Sequence, residues 1–461
     1  MDTPLNIQAL TPLQKRALSY SHTLHSLFNE IITTESPADR VLARYFRDNK
    51  KHGSKDRKVI RETLFALFRW WGWIKKIQIQ ENDALNWYVQ LSLVGLFEKH
   101  SWHNIIESWL QFAKLSPVNV SLFLPYLDTE QSFTNERLKT DHIDLHSHQA
   151  KQALLKQLTS LDFPLLDLVP DWARNMGIFT KENETLLIEA FSSRPPIWGR
   201  AQNISTQKAL ELLQRADIEA KADSPFTDSI HLGHKNINLN GLALYKQGQL
   251  EIQDLASQVI GHICAPKPNE HWWDACSGAG GKSLQLRSIM LQQDPQSSGK
   301  IIASDIRHKA LEELNKRAKR AKYKGIKTQA WINNELPVKA NSFDGVLVDA
   351  PCSCIGTWRR NPDLRWISQS AAVTQKALLQ TDILNRSAKA VKVGGKLIYA
   401  TCSLSSIENE DVVKAFLQTN PEYSLDTLTH PFTHEQHKML TIWPFEANSD
   451  GMFVAKMTKN R

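Results

Sequence analysis

Alternating strand-like and helix-like segments between residues 271 and 417 constrain the fold more than any other feature of this sequence. Each short run rich in β-branched and aromatic residues is followed by a glycine or polar turn and then by a stretch with helical spacing. Repeated units of this kind predict a mainly parallel sheet covered by helices on both faces. Two later segments, 441–443 and 452–457, predict a final antiparallel pair. The predicted strands of the repeating part are 271–275, 300–304, 326–332, 343–348 and 396–401, and its helices are 283–293, 308–323, 370–391 and 406–417.

The rest of the chain differs from this pattern and predicts further domains. The first 150 residues show helical spacing and little glycine, which favours an all-α domain; Ser36 is expected to cap a helix whose first residue is Pro37. Residues 151–255 mix helical and extended segments. A chain of 461 residues also exceeds one ordinary domain. We therefore predict a helical domain at 1–150, a small α+β connector at 151–255 and an α/β domain at 256–461.

The five cysteines are an odd number and all lie in the second half of the chain. That distribution argues against an oxidised secreted protein. Because no Cys-x-x-Cys pair occurs, a structural zinc site is not expected, and we predict no metal. The cysteines are Cys264, Cys276, Cys352, Cys354 and Cys402.

The chain carries a formal net charge of +8, which suits a polyanionic partner such as RNA but equally suits a mildly basic surface without one. Its first residues lack the basic and apolar regions of a signal peptide. No apolar run is long enough to span a bilayer. We therefore expect a cytoplasmic protein with no membrane partner.

A glycine-rich loop follows the first predicted strand of the α/β domain. Its glycines permit a tight turn and close backbone approach, and the helix that follows attracts negative charge. Asp305 ends the next strand, where an acid commonly accepts the ribose hydroxyls of a nucleoside cofactor. A phosphate-binding P-loop is not expected, because that motif needs glycine at the position of Cys276. The loop reads Cys276, Ser277, Gly278, Ala279, Gly280, Gly281 and Lys282.

Two cysteines follow predicted strands, Cys352 just beyond Asp349 and Cys402 beyond 396–401. Ligands of an open parallel sheet bind at the carboxyl ends of its strands, so both thiols are predicted to face one crevice. A single cysteine there is usually a small core residue, but two beside polar residues favour chemistry. A thiolate adding to C6 of cytosine would make C5 able to take a methyl group, and a second group would then be needed for release. Lys282 or a helix N-terminus is expected to stabilise the thiolate.

Several basic or aromatic segments leave two interpretations open. The loop 356–366 would either clamp RNA phosphates and stack a flipped base or be ordered by arginine pairing with Asp363. The basic runs at 50–61 and 316–327 would be RNA-binding tracks or solvated helix faces. The tryptophans at 70–73 would stack bases or, as is commoner in an amphipathic helix, form core. The side chains concerned in the loop 356–366 are Trp358, Arg359, Arg360, Arg365 and Trp366.

These blocks resemble those of the bacterial RsmB/Nop/Sun-type RNA cytosine-5 methyltransferases, which use S-adenosylmethionine. The resemblance covers about residues 250–457, and residues 38–69 are similar to a NusB-type RNA-binding helical domain. The matching motifs are 274–283, Asp305, 349–353 with 359–363, and 401–403 with 408–410.

The resemblance implies a class I, Rossmann-like methyltransferase domain that methylates ribosomal RNA through a covalent adduct between cysteine and C6. Cys402 would be the nucleophile, Cys352 would assist release, and Asp349 would contact the base with Lys282 nearby. Transfer RNA is the alternative substrate, and a non-catalytic RNA-binding ribosome-assembly factor is the alternative class. S-adenosylmethionine would be held by Cys276, Ser277, Gly278, Ala279, Gly280, Gly281, Lys282, Asp305, Asn333 and Asp349.

Three positions depart from the family pattern. The glycine loop has Ser-Gly-Ala where the family usually has Ala-Ala-Pro. Cys354 stands where glycine or alanine is usual. The third strand is followed by Ile332, Asn333 and Asn334 instead of an acid that contacts adenine.

Overall fold

The computed structural model of the chain describes residues 9–127, 145–333 and 335–460. Two compact units emerge from its contacts. The first contains the described residues of Met1–Asn175 together with Phe179–Ser192 and Asn361–Ser368. The second contains Met176–Ile178, Ser193–Arg360 and the described residues of Gln369–Arg461. The division into three domains made from the sequence is finer than this and stays a prediction.

The helices and strands of the described residues follow the predicted order closely. The α-helices are α1 (Pro12–Thr34), α2 (Ala38–Asp48), α3 (Ser54–Ile74), α4 (Asp83–Phe97), α5 (His103–Phe112), α6 (Pro117–Ser121), α7 (His148–Thr159), α8 (Asp171–Arg174), α9 (Glu184–Phe191), α10 (Thr206–Arg215), α11 (Ala243–Lys246), α12 (Leu255–Cys264), α13 (Gly281–Gln293), α14 (His308–Arg320), α15 (Leu364–Ile367), α16 (Ser370–Ala388) and α17 (Glu410–Thr419). The strands are β1 (Trp198–Ala201), β2 (Ser229–His231), β3 (Leu250–Ile252), β4 (His271–Asp274), β5 (Lys300–Ala303), β6 (Ile326–Thr328), β7 (Phe343–Asp349), β8 (Val391–Thr401), β9 (Tyr423–Leu425), β10 (Leu428–Thr429), β11 (Gln436–His437), β12 (Met439–Ile442) and β13 (Met452–Lys459).

The first unit is helical in its described residues and has an aromatic core. Trp70 and Trp73 are buried, and Trp70 donates its indole N–H to Glu98 at 2.8 Å. The same carboxylate receives Arg69 at 3.0 Å. These two tryptophans therefore belong to the core, as the commoner interpretation of their spacing held, and are not base-stacking platforms. No helix in the described part of the chain is long and apolar enough to cross a membrane.

The start of α2 differs from the prediction. Pro37, not Ser36, occupies the N-cap position and makes no side-chain cap. The first free amide of the helix, Ala38 N–H, is instead accepted by Asp363 at 2.8 Å. Nearby in the same unit, Arg365 is fully buried and donates to three backbone carbonyls. A distant carboxylate thus does the capping that sequence rules assign to a local serine.

The second unit is built on an eight-stranded sheet with the order β12-β13-β8-β7-β4-β5-β6, and β9 also pairs with β13. Strands β4 to β8 pair in parallel, whereas β13 runs antiparallel to β8 and β12. Trp272 and Trp273 are adjacent on β4 yet are buried in different core clusters, one on each face of the sheet. The predicted parallel sheet with two covered faces and the antiparallel pair at its end are both confirmed.

Two smaller features complete this unit. A three-stranded antiparallel sheet, in the order β2-β1-β3, packs its own core around Ile230 and Leu250. Strand β6 ends at Thr328, four residues earlier than predicted. The chain leaves the sheet there, and Trp331 donates its indole N–H to the Ala275 carbonyl at 2.7 Å.

Replacing Gly345 by alanine tests the close packing of the two central strands. Gly345 on β7 faces Trp272 on β4, and an added Cβ would lie 2.4 Å from indole carbons. We expect Gly345→Ala to lower the free energy of unfolding by about 2–3 kcal/mol in denaturant melts, because the strands must move apart. Gly394→Ala is the control: no atom lies within 4 Å of its added Cβ, and only its φ of +77° is strained. That control should cost about 1 kcal/mol; equal losses in the two variants would contradict the packing.

Candidate active site

The glycine turn after β4 depends on two glycines with positive φ, one of which also lies close to a neighbouring helix. Gly280 has a φ of +85°, and an added Cβ would lie 2.3 Å from Cγ of Leu314 on α14. Gly278 has a φ of +53°. Ser277 extends the sheet ladder by donating its amide to the Ser304 carbonyl at 2.8 Å. The turn therefore lies flat against α14 and leaves its backbone close to the carboxyl edge of the sheet.

Asp305 lies beside this turn, at the end of β5. Its carboxylate accepts the Gly278 amide at 2.9 Å and the Arg307 amide at 2.8 Å. The Arg307 guanidinium adds two hydrogen bonds of 2.9 and 3.0 Å. Burial favours a higher pKa for Asp305, but these donors hold the pKa below its ordinary value. The Arg307 side chain is 63% exposed and was not predicted from the sequence.

The turn and its surroundings fit a nucleoside. The Ser277 hydroxyl is buried and has no hydrogen-bond partner within the described residues, so it can accept or donate to a ligand. Ile306 and Ile332, which follow β5 and β6, are 76% and 70% exposed and offer apolar surface. Asn333 adopts a φ of +54° beside Ile332, and Asn334 lies outside the described residues. Apolar surface next to an acid at the end of a parallel strand suits an adenosine.

Asp274, the last residue of β4, holds the start of the same turn in place. It is fully buried, and its carboxylate accepts the Ser283 hydroxyl at 2.6 Å. Burial raises the pKa of Asp274 to about 7. Because Ser283 lies in the first turn of α13, this hydrogen bond fixes the start of that helix.

Lys282 connects the glycine turn to the loop after β7. Its ammonium group donates to Asp349 Oδ2 at 2.7 Å. Burial favours a lower pKa for Lys282, but Asp349 and the Cys402 thiol more than offset this and raise it. A protonated lysine and a carboxylate therefore form a charged pair next to the thiols.

Cys352 and Cys402 meet at the carboxyl ends of β7 and β8. Their sulfur atoms are 3.2 Å apart. The parallel register of the two strands pairs Asp349 with Ala400, so the two loops leave the sheet side by side. The sequence-based expectation placed both thiols in one crevice, and the structure brings them into contact.

A third thiol, Cys354, joins them. The three sulfur atoms all lie within 4.8 Å of one another. A hydrogen bond with Cys354 raises the pKa of Cys352. Hydrogen bonds with both neighbouring thiols raise the pKa of Cys402 and lower that of Cys354.

Glu408 links the two loops that carry Cys352 and Cys402, which follow β7 and β8. Its buried carboxylate accepts the Ser353 amide at 2.8 Å and the hydroxyls of Ser353 and Ser403. Gln380 donates to it as well, at 3.1 Å. Burial raises the pKa of Glu408. The sequence motif contained Glu408, but spacing alone gave no sign that its carboxylate would cross-link the loops.

A second set of hydrogen bonds fixes the Cys402 loop itself. Asn409 donates its amide to the Ser403 carbonyl at 3.0 Å and accepts the Thr401 hydroxyl at 2.6 Å. The Gly356 amide donates to the Cys402 carbonyl at 2.9 Å. The nucleophile candidate is therefore held by backbone contacts on both sides.

The arginines of the loop 356–366 are hydrogen-bonded within the protein. Arg359 is buried and donates to Asn448, Pro444 and Ser449, and Trp358 is fully buried. Arg360 bridges Asp254 and Asp450 at 3.0 and 3.1 Å. The phosphate contact is thus wrong for Arg359 and the stacking site is wrong for Trp358, whereas a phosphate contact of the exposed Arg360 stays a prediction. Pairing with Asp363 is also wrong for Arg359 and Arg360, because other acceptors satisfy them.

The basic run 316–327, which begins on α14, contains arginines that pair with a buried acid and lysines that are exposed to solvent. Arg317 and Arg320 both pair with the buried carboxylate of Glu251. The exposed cations of this run are Lys316, Lys319, Lys322, Lys324 and Lys327.

Comparison with known proteins gives a family match and distant structural relatives. A family model described as 16S rRNA methyltransferase RsmB/F matches residues 262–458. Ribosomal RNA small subunit methyltransferase B of Shewanella oneidensis is 33% identical over 280 residues, 59% of this chain and 62% of that protein. Its namesake in Pasteurella multocida is 32% identical over 303 residues, 63% of this chain and 65% of that protein. The chain thus spans less than two thirds of the length of these relatives.

Solved structures share the fold. The crystal structure of PH0851 has a TM-score of 0.70 at 20% identity and covers 98% of this chain and 99% of its own. The methyltransferase homolog protein from Pyrococcus horikoshii has a TM-score of 0.51 at 22% identity and covers 75% of this chain and 100% of its own. With the parallel sheet described above, these likenesses show that the α/β part of the chain has a Rossmann-like fold and is preceded by a helical part.

Removing the Glu408 carboxylate tests its role as a cross-link. Glu408→Ala leaves the Ser353 amide and the Ser403 hydroxyl without their acceptor, so we expect a loss of about 2–4 kcal/mol in denaturant unfolding. Asp411→Ala is the matched control, because Asp411 is exposed and makes only a helix-surface ion pair with Lys414. That pair should contribute no more than about 0.5 kcal/mol. A Glu408→Ala variant as stable as the control would contradict the cross-link.

Proposed function

We propose, from the match of residues 262–458 to the model of the RsmB/F family of 16S rRNA methyltransferases, that the chain is an S-adenosylmethionine-dependent ribosomal RNA cytosine-5 methyltransferase. The observation that carries the proposal is the contact between the Cys352 and Cys402 thiols, 3.2 Å apart, at the carboxyl ends of adjacent parallel strands. Two thiols in contact suit a reaction in which one adds to a base and the other helps it leave. The names of the curated relatives favour ribosomal RNA over transfer RNA as the substrate.

The glycine turn is the proposed cofactor site. Bound S-adenosylmethionine would supply an electrophilic methyl group on a sulfonium sulfur. Asp305 would accept the ribose hydroxyls once its exposed partner Arg307 swings away. Ile306 and Ile332 would cover the adenine. The rest of the site comprises Asn333, Asp349 and the loop residues Cys276, Ser277, Gly278, Ala279, Gly280, Gly281 and Lys282.

Cys402 is the proposed nucleophile. Its thiolate would form a bond to C6 of the cytosine, and the electrons of the C5–C6 double bond would move through C4 to N3. N3 would take a proton from the pair formed by Lys282 and Asp349, which lies beside the thiols. The resulting enamine carbon, C5, is then nucleophilic enough to take the methyl group.

Cys352 is proposed to assist release. After methyl transfer, C5 carries both the methyl group and its original proton. Removal of that proton by Cys352, acting as a thiolate and becoming a thiol, would re-form the C5–C6 double bond and expel Cys402 as a thiolate, while N3 returns its proton to the pair formed by Lys282 and Asp349. The distance of 3.2 Å between the two sulfurs supports this assignment, because both thiols could then reach one base.

RNA binding would use exposed cations on both units. Lys51, Lys55 and Lys58 are exposed around the start of α3, and exposed lysines lie along α14 and beyond it. Such side chains contact phosphates without reading sequence. We assign RNA binding to the NusB-like helical domain at 1–150 as well as to the methyltransferase domain at 256–461, with the α+β connector at 151–255 between them, and we place the protein in the cytoplasm.

Alanine variants of the two cysteines test the assignment. We expect Cys402→Ala to lower methyl transfer to ribosomal RNA by more than about 1,000-fold, because no nucleophile remains. Cys352→Ala should instead accumulate a covalent protein–RNA adduct that resists denaturing electrophoresis and disappears on nuclease treatment. Cys264→Ala is the control, because Cys264 is a core residue outside the thiol group.

The outcomes separate the alternatives. An adduct that accumulates with Cys402→Ala would reverse the two roles. Absence of transfer by the unmodified chain would favour a non-catalytic assembly factor. Bisulfite mapping of RNA from a deletion strain identifies the substrate: loss of a 5-methylcytidine from transfer RNA instead of ribosomal RNA would contradict the proposal.

A further inference from the structure

Cys354 is a thiol that the proposed reaction does not use. It lies two residues beyond Cys352, and its sulfur donates to the Cys352 carbonyl at 3.5 Å. Its backbone has a φ of +61°, in the left-handed region where glycine is favoured. Cysteine offers no conformational advantage at such a position. What it adds is a third sulfur beside two others.

We propose that Cys352, Cys354 and Cys402 form a binding site for one thiophilic metal ion such as Zn²⁺. A zinc ion binds thiolate sulfur at about 2.3 Å, so three sulfurs of a tetrahedral site lie about 3.8 Å apart. Here the Cys352 and Cys402 sulfurs are 3.2 Å apart, and all three fall within 4.8 Å of one another. Shifts of less than 1 Å would bring them to that spacing.

The site is assembled from two loops, which explains why spacing did not reveal it. Cys352 and Cys354 come from one loop in a Cys-x-Cys arrangement, and Cys402 comes from the loop after the neighbouring strand. Three protein ligands leave a fourth tetrahedral position for water or another small ligand. The sites of this kind that sequence rules recognise use paired Cys-x-x-Cys ligands.

The charges around the cluster favour thiolate ligands. Lys282, which is paired with Asp349, lies beside Cys402. The acidic groups that face the cluster are already engaged: Asp349 by Lys282, and Glu408 by serine hydroxyls and an amide. A metal ion would therefore compete mainly with protons on sulfur.

Occupation of the site has a functional consequence that rests on the proposed function. The metal would bind the nucleophile and the release thiol at once and would block methyl transfer. Cys354 strengthens such inhibition because it turns a two-sulfur contact into a three-sulfur site.

Metal binding is measured directly, without RNA or cofactor. The full-length chain is reduced with a phosphine, stripped of metal, and titrated with Zn²⁺ against a chromophoric chelator; Cd²⁺ is titrated in parallel for its sulfur-to-metal charge-transfer absorption. The variants are Cys354→Gly, which suits the backbone conformation, and Cys264→Ala as the control. Thermal melting of each metal-free variant checks folding. We expect one ion per chain, with unchanged affinity in the control.

Cys354→Gly should weaken binding by more than about 100-fold, because even groups that only orient a ligand contribute about 10–100-fold. Zn²⁺ should also inhibit the unmodified enzyme at concentrations that leave Cys354→Gly active, each compared with its own metal-free rate. Equal affinity in all three proteins, absence of the charge-transfer band, or a disulfide found in place of bound metal would overturn the site. The binding result stands apart from the proposed function, because it does not require methyl transfer.

Discussion

The parallel pairing of β7 with β8 decides where the reactive groups of this chain lie. Its register sets Asp349 opposite Ala400, and the Ala350 amide continues the ladder to the Ala400 carbonyl at 2.8 Å. Both strands therefore end at the same edge, and the residues that follow them must share the space beyond it. The contact between the two thiols is a consequence of strand register, not of their distance in sequence.

Strand register alone would not fix the conformation of the loops after β7 and β8. Hydrogen bonds to buried polar groups do so. Glu408 is fully buried, and a buried carboxylate is costly unless donors surround it. Its serine, amide and glutamine donors come from both loops and from α16, so the same contacts that offset its burial also fix the thiols. Arg360 likewise cross-links separate segments of the chain, because it forms ion pairs with both Asp254 and Asp450.

Much of this arrangement could be predicted from the sequence, because its signals are local. The strand, glycine turn and helix pattern gave the sheet, and cysteines placed after strands gave the thiol pair. The failures concern side chains whose partners are distant in sequence. Arg359 and Arg360 look like phosphate ligands in a polar loop, yet buried carbonyls and acids bind them. In the sequence, Cys354 is a single departure from the family pattern. Its closeness to Cys402 follows only from the pairing of the neighbouring strands.

The central claim is that Cys402, and not Cys352, bonds to the base at the edge formed by β7 and β8. The direct measurement uses ribosomal RNA carrying 5-fluorocytidine at the modified position, together with S-adenosylmethionine. Fluorine leaves no proton on C5 to remove after methyl transfer, so the bond between sulfur and C6 persists and mass spectrometry of the peptides locates it. We predict the modified nucleotide on the peptide containing Cys402, with Cys352 free. Attachment to Cys352, or methylated product released without any adduct, would contradict the account.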